Sequence, residues 1–441
     1  METAVKNRNI FHGNFISAPV PEQLKIDEDT YCIVENGCIQ NLTKRLPESL
    51  SACPVSELGP GFVIPAFSDV HVHAPQLPNA GIGLDEKLLP WLNQYTFPLE
   101  TNFADTAFAE RVYKMFIRKL WQCGTLHASV FATLHKKSTQ LLFSLYRESG
   151  LGAYIGKVNM DRNSIPELTE TTEASVAATE ELITETLSSG SDRVRYIMTP
   201  RFVPSTSESL MQKLGGLVEK YDLPVQSHLD ENRSEVEWVK KLHPQFQNYA
   251  DVYDAFGLMP EGKTVMAHCI YMSDDEIKLL CRKKVLAAHC AMSNADLSSG
   301  IMPVRTFSEA GLHIALGSDV GAAEVYSMMR HITETIRVSK LYWIQHPEAA
   351  PVTVPEAFYM ATKASGAFFG NTGSFEPGYG FDALVIDDRS LDYGCSFSLK
   401  ERLERFLYTG DDRQISVRYL NGEKIPEPFV PGATEKKEQS E

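Results

Sequence analysis

His71 and His73 stand two residues apart at the end of an apolar run, in Asp69-Val70-His71-Val72-His73. Side chains alternate faces along a strand with period 2, so both imidazoles point the same way. Neutral imidazole nitrogens about 2.0–2.1 Å from an ion are good zinc ligands, and a catalytic zinc keeps one position for water. Taken alone, a His-x-His pair equally describes two partly solvated polar residues. Four further apolar runs end in the same way, at Gln226-Ser227-His228, Ala267-His268, Ala288-His289 and Gly317-Ser318-Asp319. His228 and Asp319 would complete a shell of three neutral ligands and one anion. Such a shell leaves the ion net positive and able to depress the pKa of bound water toward about 7.

Glu231 lies three residues beyond His228, close enough to face the same water and do general acid and base work. It can also be read as a charge placed against the dipole of a helix predicted over Asn232–Lys241. His268 reads as a fifth ligand, which would crowd the ion, or as an uncoordinated neighbour hydrogen-bonded to the attacking oxygen or the developing oxyanion. The second role is expected, and His289 is expected to pack. The fourth run ends Met198-Thr199-Pro200-Arg201, without a lysine or acid at its tip, so one ion is expected rather than two. A different zinc-site pattern, His-x-Glu followed by Pro-Cys-x-x-Cys, does not occur as a set in the sequence.

Those strand ends need a frame to hold them. From about Gly61, short apolar runs alternate with segments of helical period. The runs are Phe62–Val72, Thr125–Phe131, Ala153–Val158, Val194–Met198, Pro224–Ser227, Thr264–Ala267, Val285–Ala288 and Ile314–Leu316. Helices are predicted at Asp105–Gln122 and Ser207–Tyr221, and Ser273-Asp274-Asp275-Glu276 has the form of a capping box. Eight repeats predict an α/β fold, a (β/α)8 TIM-type barrel over residues 61–370. Residues 1–60 and 371–430 read as strands, including Asp382–Ile386 and Val417–Leu420 before the turn Asn421-Gly422, and are expected to join in one small composite β-sandwich domain. Residues 431–441 read as a charged, mobile tail.

The 441 residues carry 42 Lys+Arg against 57 Asp+Glu, a formal charge of −15, with a pI near 5.3. This argues against an electrostatic nucleic-acid binder, which needs a basic surface. The eight cysteines form no CxxC pair, Met1–Val20 has no apolar core of a secretory signal, and no stretch reaches 18 apolar residues. A cytoplasmic protein without a membrane partner is the expectation.

The stretch Pro65-Ala66-Phe67-Ser68-Asp69-Val70-His71-Val72-His73, with His228, His268 and Asp319, resembles the amidohydrolase superfamily of metal-dependent barrels. Leu89–Pro98, Met198–Phe202, Ser227–Arg233 and Phe406–Arg413 are more particular and are similar to its purine-deaminating branch. The resemblance runs from about Gly61 to Gly422. It implies hydrolysis of guanine to xanthine and ammonia, with one zinc ion, or iron, on His71, His73, His228 and Asp319. By the same resemblance Glu231, His268 and Asp319 would move protons, and Gln76, Arg201 and Phe202 would read the base beside Glu231 and Asp319. The chemistry suits them: an amide offers donor and acceptor, a guanidinium donates to a carbonyl, and a phenyl ring stacks. A small-molecule purine substrate and a homodimer are also implied. Two departures from the family pattern stand out: Ala66 in place of the usual Gly, and Cys290-Ala291-Met292-Ser293-Asn294 in place of Cys-Pro-x-Ser-Asn, which is expected to reshape the loop near the metal. The competing readings are a deaminase of another aminated heterocycle (a different purine, a pterin or a triazine) and a non-catalytic scaffold. The scaffold predicts lost ligands, and all four are present.

Overall fold

In the computed structural model, which describes residues 8–431, β-branched and aromatic residues at the start of the chain form β1 (Arg8–Val20), β2 (Gln23–Glu35) and β3 (Cys38–Thr43). The tail expected at the C-terminus lies, from residue 432, outside the described residues. β1 pairs antiparallel with β2 and β2 with β3. Asn36 and Gly37, which link β2 to β3, have φ of 50° and 81°, the signature of a type I′ hairpin turn. A short strand β4 (Val55–Glu57) and then β5 (Phe62–Pro65) align parallel to β1.

Only Ala66 separates β5 from β6 (Phe67–His73), yet the two belong to different sheets. The single apolar run expected at Phe62–Val72 is therefore two strands. Its break lies at Pro65-Ala66, where the Ala66 N–H donates to Asp382 O at 2.9 Å.

From β6 onward every pairing is parallel until β15. The strands are β7 (Thr125–Phe131), β8 (Gly152–Gly156), β9 (Val158–Asn159), β10 (Val194–Tyr196), β11 (Thr199–Pro200), β12 (Val225–Leu229), β13 (Thr264–His268), β14 (Leu286–His289) and β15 (His313–Leu316). β6, β7, β8 and β10 form one ladder, β9 and β11 continue its third and fourth members, and a bridge from Met198 to Val225 leads to the ladder β12-β13-β14-β15. The last member returns to the first, because the Asp319 N–H donates to His71 O at 2.9 Å and the His73 N–H to Val320 O at 3.1 Å.

Helices cover these strands. The helix Thr106–Gln122, capped by Asp105, buries Ala109, Val112, Tyr113, Phe116, Ile117 and Leu120. That spacing of three and four is one helical stripe, and each fully buried large side chain contributes roughly 1.5–3 kcal/mol. Ser207 caps the helix Glu208–Tyr221, and the capping box at Ser273 and Glu276 opens Asp274–Arg282.

The chain then returns to the first sheet. β16 (Ala383–Ile386) pairs with β5, β17 (Ile415–Leu420) with β16, and β18 (Glu423–Lys424) folds back over Asn421-Gly422. Where two packed layers are expected, hydrogen bonding runs unbroken through one sheet, β18-β17-β16-β5-β1-β2-β3. That sheet curls on itself. Phe11 of β1 meets Tyr419 of β17, three strands away, with ring centroids 5.0 Å apart, although flat strands at that interval lie about 14 Å apart.

A Cβ at Gly61, ahead of β5, would lie 1.8 Å from Ile386 O, a backbone atom of β16. Gly61→Ala is expected to destabilise this sheet by about 1–3 kcal/mol, read as a lowered denaturation midpoint.

Candidate active site

Six side chains from the carboxyl ends of four strands meet at one point. His71 and His73 come from β6, His228 from β12, Glu231 from just beyond it, His268 from β13 and Asp319 from just beyond β15. Asp319 Oδ1 lies 3.2 Å from His71 Nε2 and 3.4 Å from His73 Nε2, and His73 Nε2 lies 3.3 Å from His228 Nε2. Two ligands on the edge of a zinc tetrahedron are about 3.4 Å apart, given bonds of about 2.0–2.1 Å.

The protons fit such a site. His228 Nδ1 donates to Arg201 O at 2.6 Å, which leaves the lone pair on Nε2, and the buried His71 Nε2 makes no well-formed hydrogen bond. A buried acceptor without a donor is costly, and a cation at this point would satisfy these nitrogens and Asp319 together. His268 stands slightly aside, its Nε2 3.8 Å from Asp319 Oδ2 and 3.4 Å from Glu231 Oε2. Its Nδ1 donates to Asn294 Oδ1 at 2.9 Å, so its Nε2 also carries a lone pair. His268 does fall within one cluster of donor atoms, with His71 and His228.

Burial, reinforced by repulsion from neighbouring imidazoles, holds His73 and His228 well below the usual histidine range and so keeps them neutral. Burial alone would raise Asp319, but the adjoining imidazoles, His71 first and then His268 and His73, hold it below the ordinary carboxylate range. Glu231 moves the opposite way, raised well above its ordinary value by burial and then by the nearby charges of Glu235 and Asp319. Two carboxyls with opposed shifts in one pocket are equipped for opposite proton duties. The His289 ring makes no hydrogen bond, and burial with its neighbours His331 and His268 lowers it to about 3.

Backbone geometry adds to this arrangement. His268 and Asp319 have φ of 74° and 52°, a left-handed conformation that costs roughly 1–3 kcal/mol and recurs at functional sites. Asp69 Oδ1 accepts the His71 N–H at 3.1 Å and the Ser318 N–H at 2.9 Å, tying β6 to the segment after β15.

Above this point is a cavity lined by His73, Gln76, Arg201, Phe202, His228, Glu231, His268 and Asp319. Of the candidate ligand, proton-transfer and base-reading residues, all but His71 line this cavity, and His71 lies beside Asp319. Its apolar wall is Leu88, Trp91, Leu92, Leu297 and Ala322, of which only Trp91 and Leu92 fall in a segment the sequence marked, Leu89–Pro98. Glu100 was missed as well. It is buried, takes Arg201 Nη1 at 2.7 Å and Nη2 at 3.1 Å, and accepts Gln76 Nε2 at 3.0 Å. Its one sequence signal is adjacency to the segment Leu89–Pro98. The departure at Cys290–Asn294 folds as the start of a short helix, Ala291–Asp296, that carries Asn294 to His268.

Residues 62–425 match the model of the Amidohydrolase family. Guanine deaminase of Dictyostelium discoideum is 40% identical over 378 residues, 84% of each chain. Guanine deaminase of Escherichia coli (strain K12) is 32% identical over 424 residues, 92% of this chain and 93% of that one. Among solved structures, guanine deaminase from C. acetobutylicum with guanine bound in the active site is similar at a TM-score of 0.93 and 46% identity, over 95% of this chain and 100% of that chain.

Asp69→Ala leaves two buried amides without acceptors, at about 1–3 kcal/mol each. It is expected to lower the denaturation midpoint and the metal bound per chain, whereas Asp69→Asn, whose amide oxygen can still accept, loses less of both.

Proposed function

Because this chain belongs to the amidohydrolase family, we propose that it hydrolyses guanine to xanthine and ammonia. The observation that carries the reading is the meeting, in one cavity, of a donor set at metal-ligand spacing with a guanidinium and an amide suited to a purine edge. The identity to guanine deaminases over most of the chain supports it. We also read the closed run of parallel strands as a (β/α)8 barrel, supported by the backbone bonds from Asp319 to His71 and from His73 to Val320.

His71, His73, His228 and Asp319 would hold one metal ion, zinc or iron. When bound, that ion supplies positive charge that acidifies a water molecule at neutral pH. The side chains do the rest. Gln76 and Arg201 hold the ring by its N1–H and C6 carbonyl edge, Phe202 packs on it, and Trp91, Leu88 and Leu92 exclude bulk solvent. Asp319, ionised, takes a proton from the attacking water. His268 accepts a hydrogen bond from the same oxygen through Nε2, in the tautomer that Asn294 imposes. Glu231, protonated, donates to N3 as the C2–O bond forms, regains a proton from Asp319 and gives it to the amine as the C2–N bond breaks. The C2 hydroxyl loses its proton to Glu231, so the products are a carbonyl and ammonia and both carboxyls return to their starting states.

None of the helices among the described residues is long and apolar enough to cross a membrane. The eight free thiols support a reducing, cytoplasmic setting. The homodimer implied by the resemblance is expected to show as twice the monomer mass in light scattering.

Ammonia release from guanine tests the activity. It is expected to stop on chelation and to return with added zinc or iron, at about one metal per chain by elemental analysis; metal-replete protein that releases none refutes the proposal. Glu231→Gln is expected to lower kcat about 10²–10⁴-fold with metal retained, and near-normal turnover would remove Glu231 from proton transfer.

A further inference from the structure

Glu100 touches no position that a reacting atom would occupy, yet it holds both residues that face the purine edge. It lies at the end of the short helix Phe97–Glu100, after a wide π-type turn at Leu92–Thr96, and is 2% exposed. Arg201 pairs with it through two nitrogens at 2.7 and 3.1 Å, with its guanidinium 4.9 Å from the centre of the Phe97 ring. Gln76 Nε2 donates to the same carboxylate at 3.0 Å.

An ionised carboxylate only accepts, so Gln76 must turn its NH₂ toward Glu100. The amide carbonyl then faces away, toward the cavity that Gln76 lines. Arg201 spends two of its five N–H groups on Glu100 and keeps three. The pair thus offers one acceptor beside a cluster of donors.

Resting on the guanine reading above, we propose that Glu100 is a specificity-determining, positioning residue: by fixing the Gln76 amide and the Arg201 fork, it makes the cavity accept a lactam edge, N–H beside C=O, and reject the amidine edge, ring nitrogen beside NH₂. Guanine offers the lactam at N1 and O6. 2,6-Diaminopurine carries the same 2-amino group but the reversed edge, so the Gln76 carbonyl would meet a lone pair and Arg201 would meet an amino group. A site built around buried hydrogen bonds rejects a mismatched analogue by about 10⁴-fold.

The test compares kcat and KM for guanine and for 2,6-diaminopurine, products separated by chromatography, in the full-length wild-type enzyme and in Glu100→Gln. A neutral amide at residue 100 can donate as well as accept, which frees Gln76 to flip. The expected result is a rise in KM for guanine with a smaller change in kcat, and a fall of at least about 10-fold in the ratio of the two kcat/KM values, with metal content unchanged. A role confined to stability would lower both substrates alike, and an unmoved ratio overturns the proposal. Where E100Q does not fold, Glu100→Asp keeps the charge but draws the carboxylate back: an intermediate ratio supports the proposal and a wild-type ratio overturns it. Wild-type enzyme that is inactive on guanine refutes the parent reading instead, before any variant is compared.

Discussion

Several imidazoles share one small volume from which water is largely excluded, and the rest of the site depends on their staying neutral there. His73 and His228 are pushed toward the uncharged form by burial and then by the neighbouring His71, so they converge instead of repelling as cations. The Arg201 carbonyl fixes which nitrogen of His228 holds its proton, and Asn294 does the same for His268. A single anion, Asp319, stands among them. Imidazole nitrogens and one carboxylate converge there at a spacing that would suit a divalent cation.

Behind this group is a layer of support that never reaches the cavity. Glu235 Oε2 accepts the Glu231 N–H at 3.0 Å, and its other oxygen accepts the Tyr249 hydroxyl at 2.9 Å. Glu235 thereby holds the backbone that aims Glu231, and its charge helps keep Glu231 protonated. On the opposite side Glu100 holds Gln76 and Arg201. Asp69 binds two amides of adjoining strands, so the first and last ligand-bearing segments keep their mutual position. In each case a buried carboxylate acts on geometry and does no bond-making.

Strand-end histidines are legible in sequence because strand alternation projects residues two apart to one side, and polar residues closing apolar runs have few other uses. Helix starts at Asp105, Ser207 and Ser273 are legible for an equally local reason, the capping hydrogen bond. What is not legible depends on distant partners. The division between β5 and β6 at Ala66 follows from the pairing of β5 with β16, more than 300 residues later. The curl that merges two expected layers into one sheet likewise rests on contacts such as Phe11 with Tyr419. Glu100 and Trp91 sit in irregular helical turns without a periodic pattern, so nothing in their spacing distinguishes a cavity wall from an ordinary connection.

The mixed origin of the first sheet bears on the order in which the molecule can assemble during synthesis. β5 has β1 on one side from the beginning, but its other edge stays bare until Ala383–Ile386 has left the ribosome. Until then an unpaired edge of Phe-Val-Ile-Pro is a template for foreign strands.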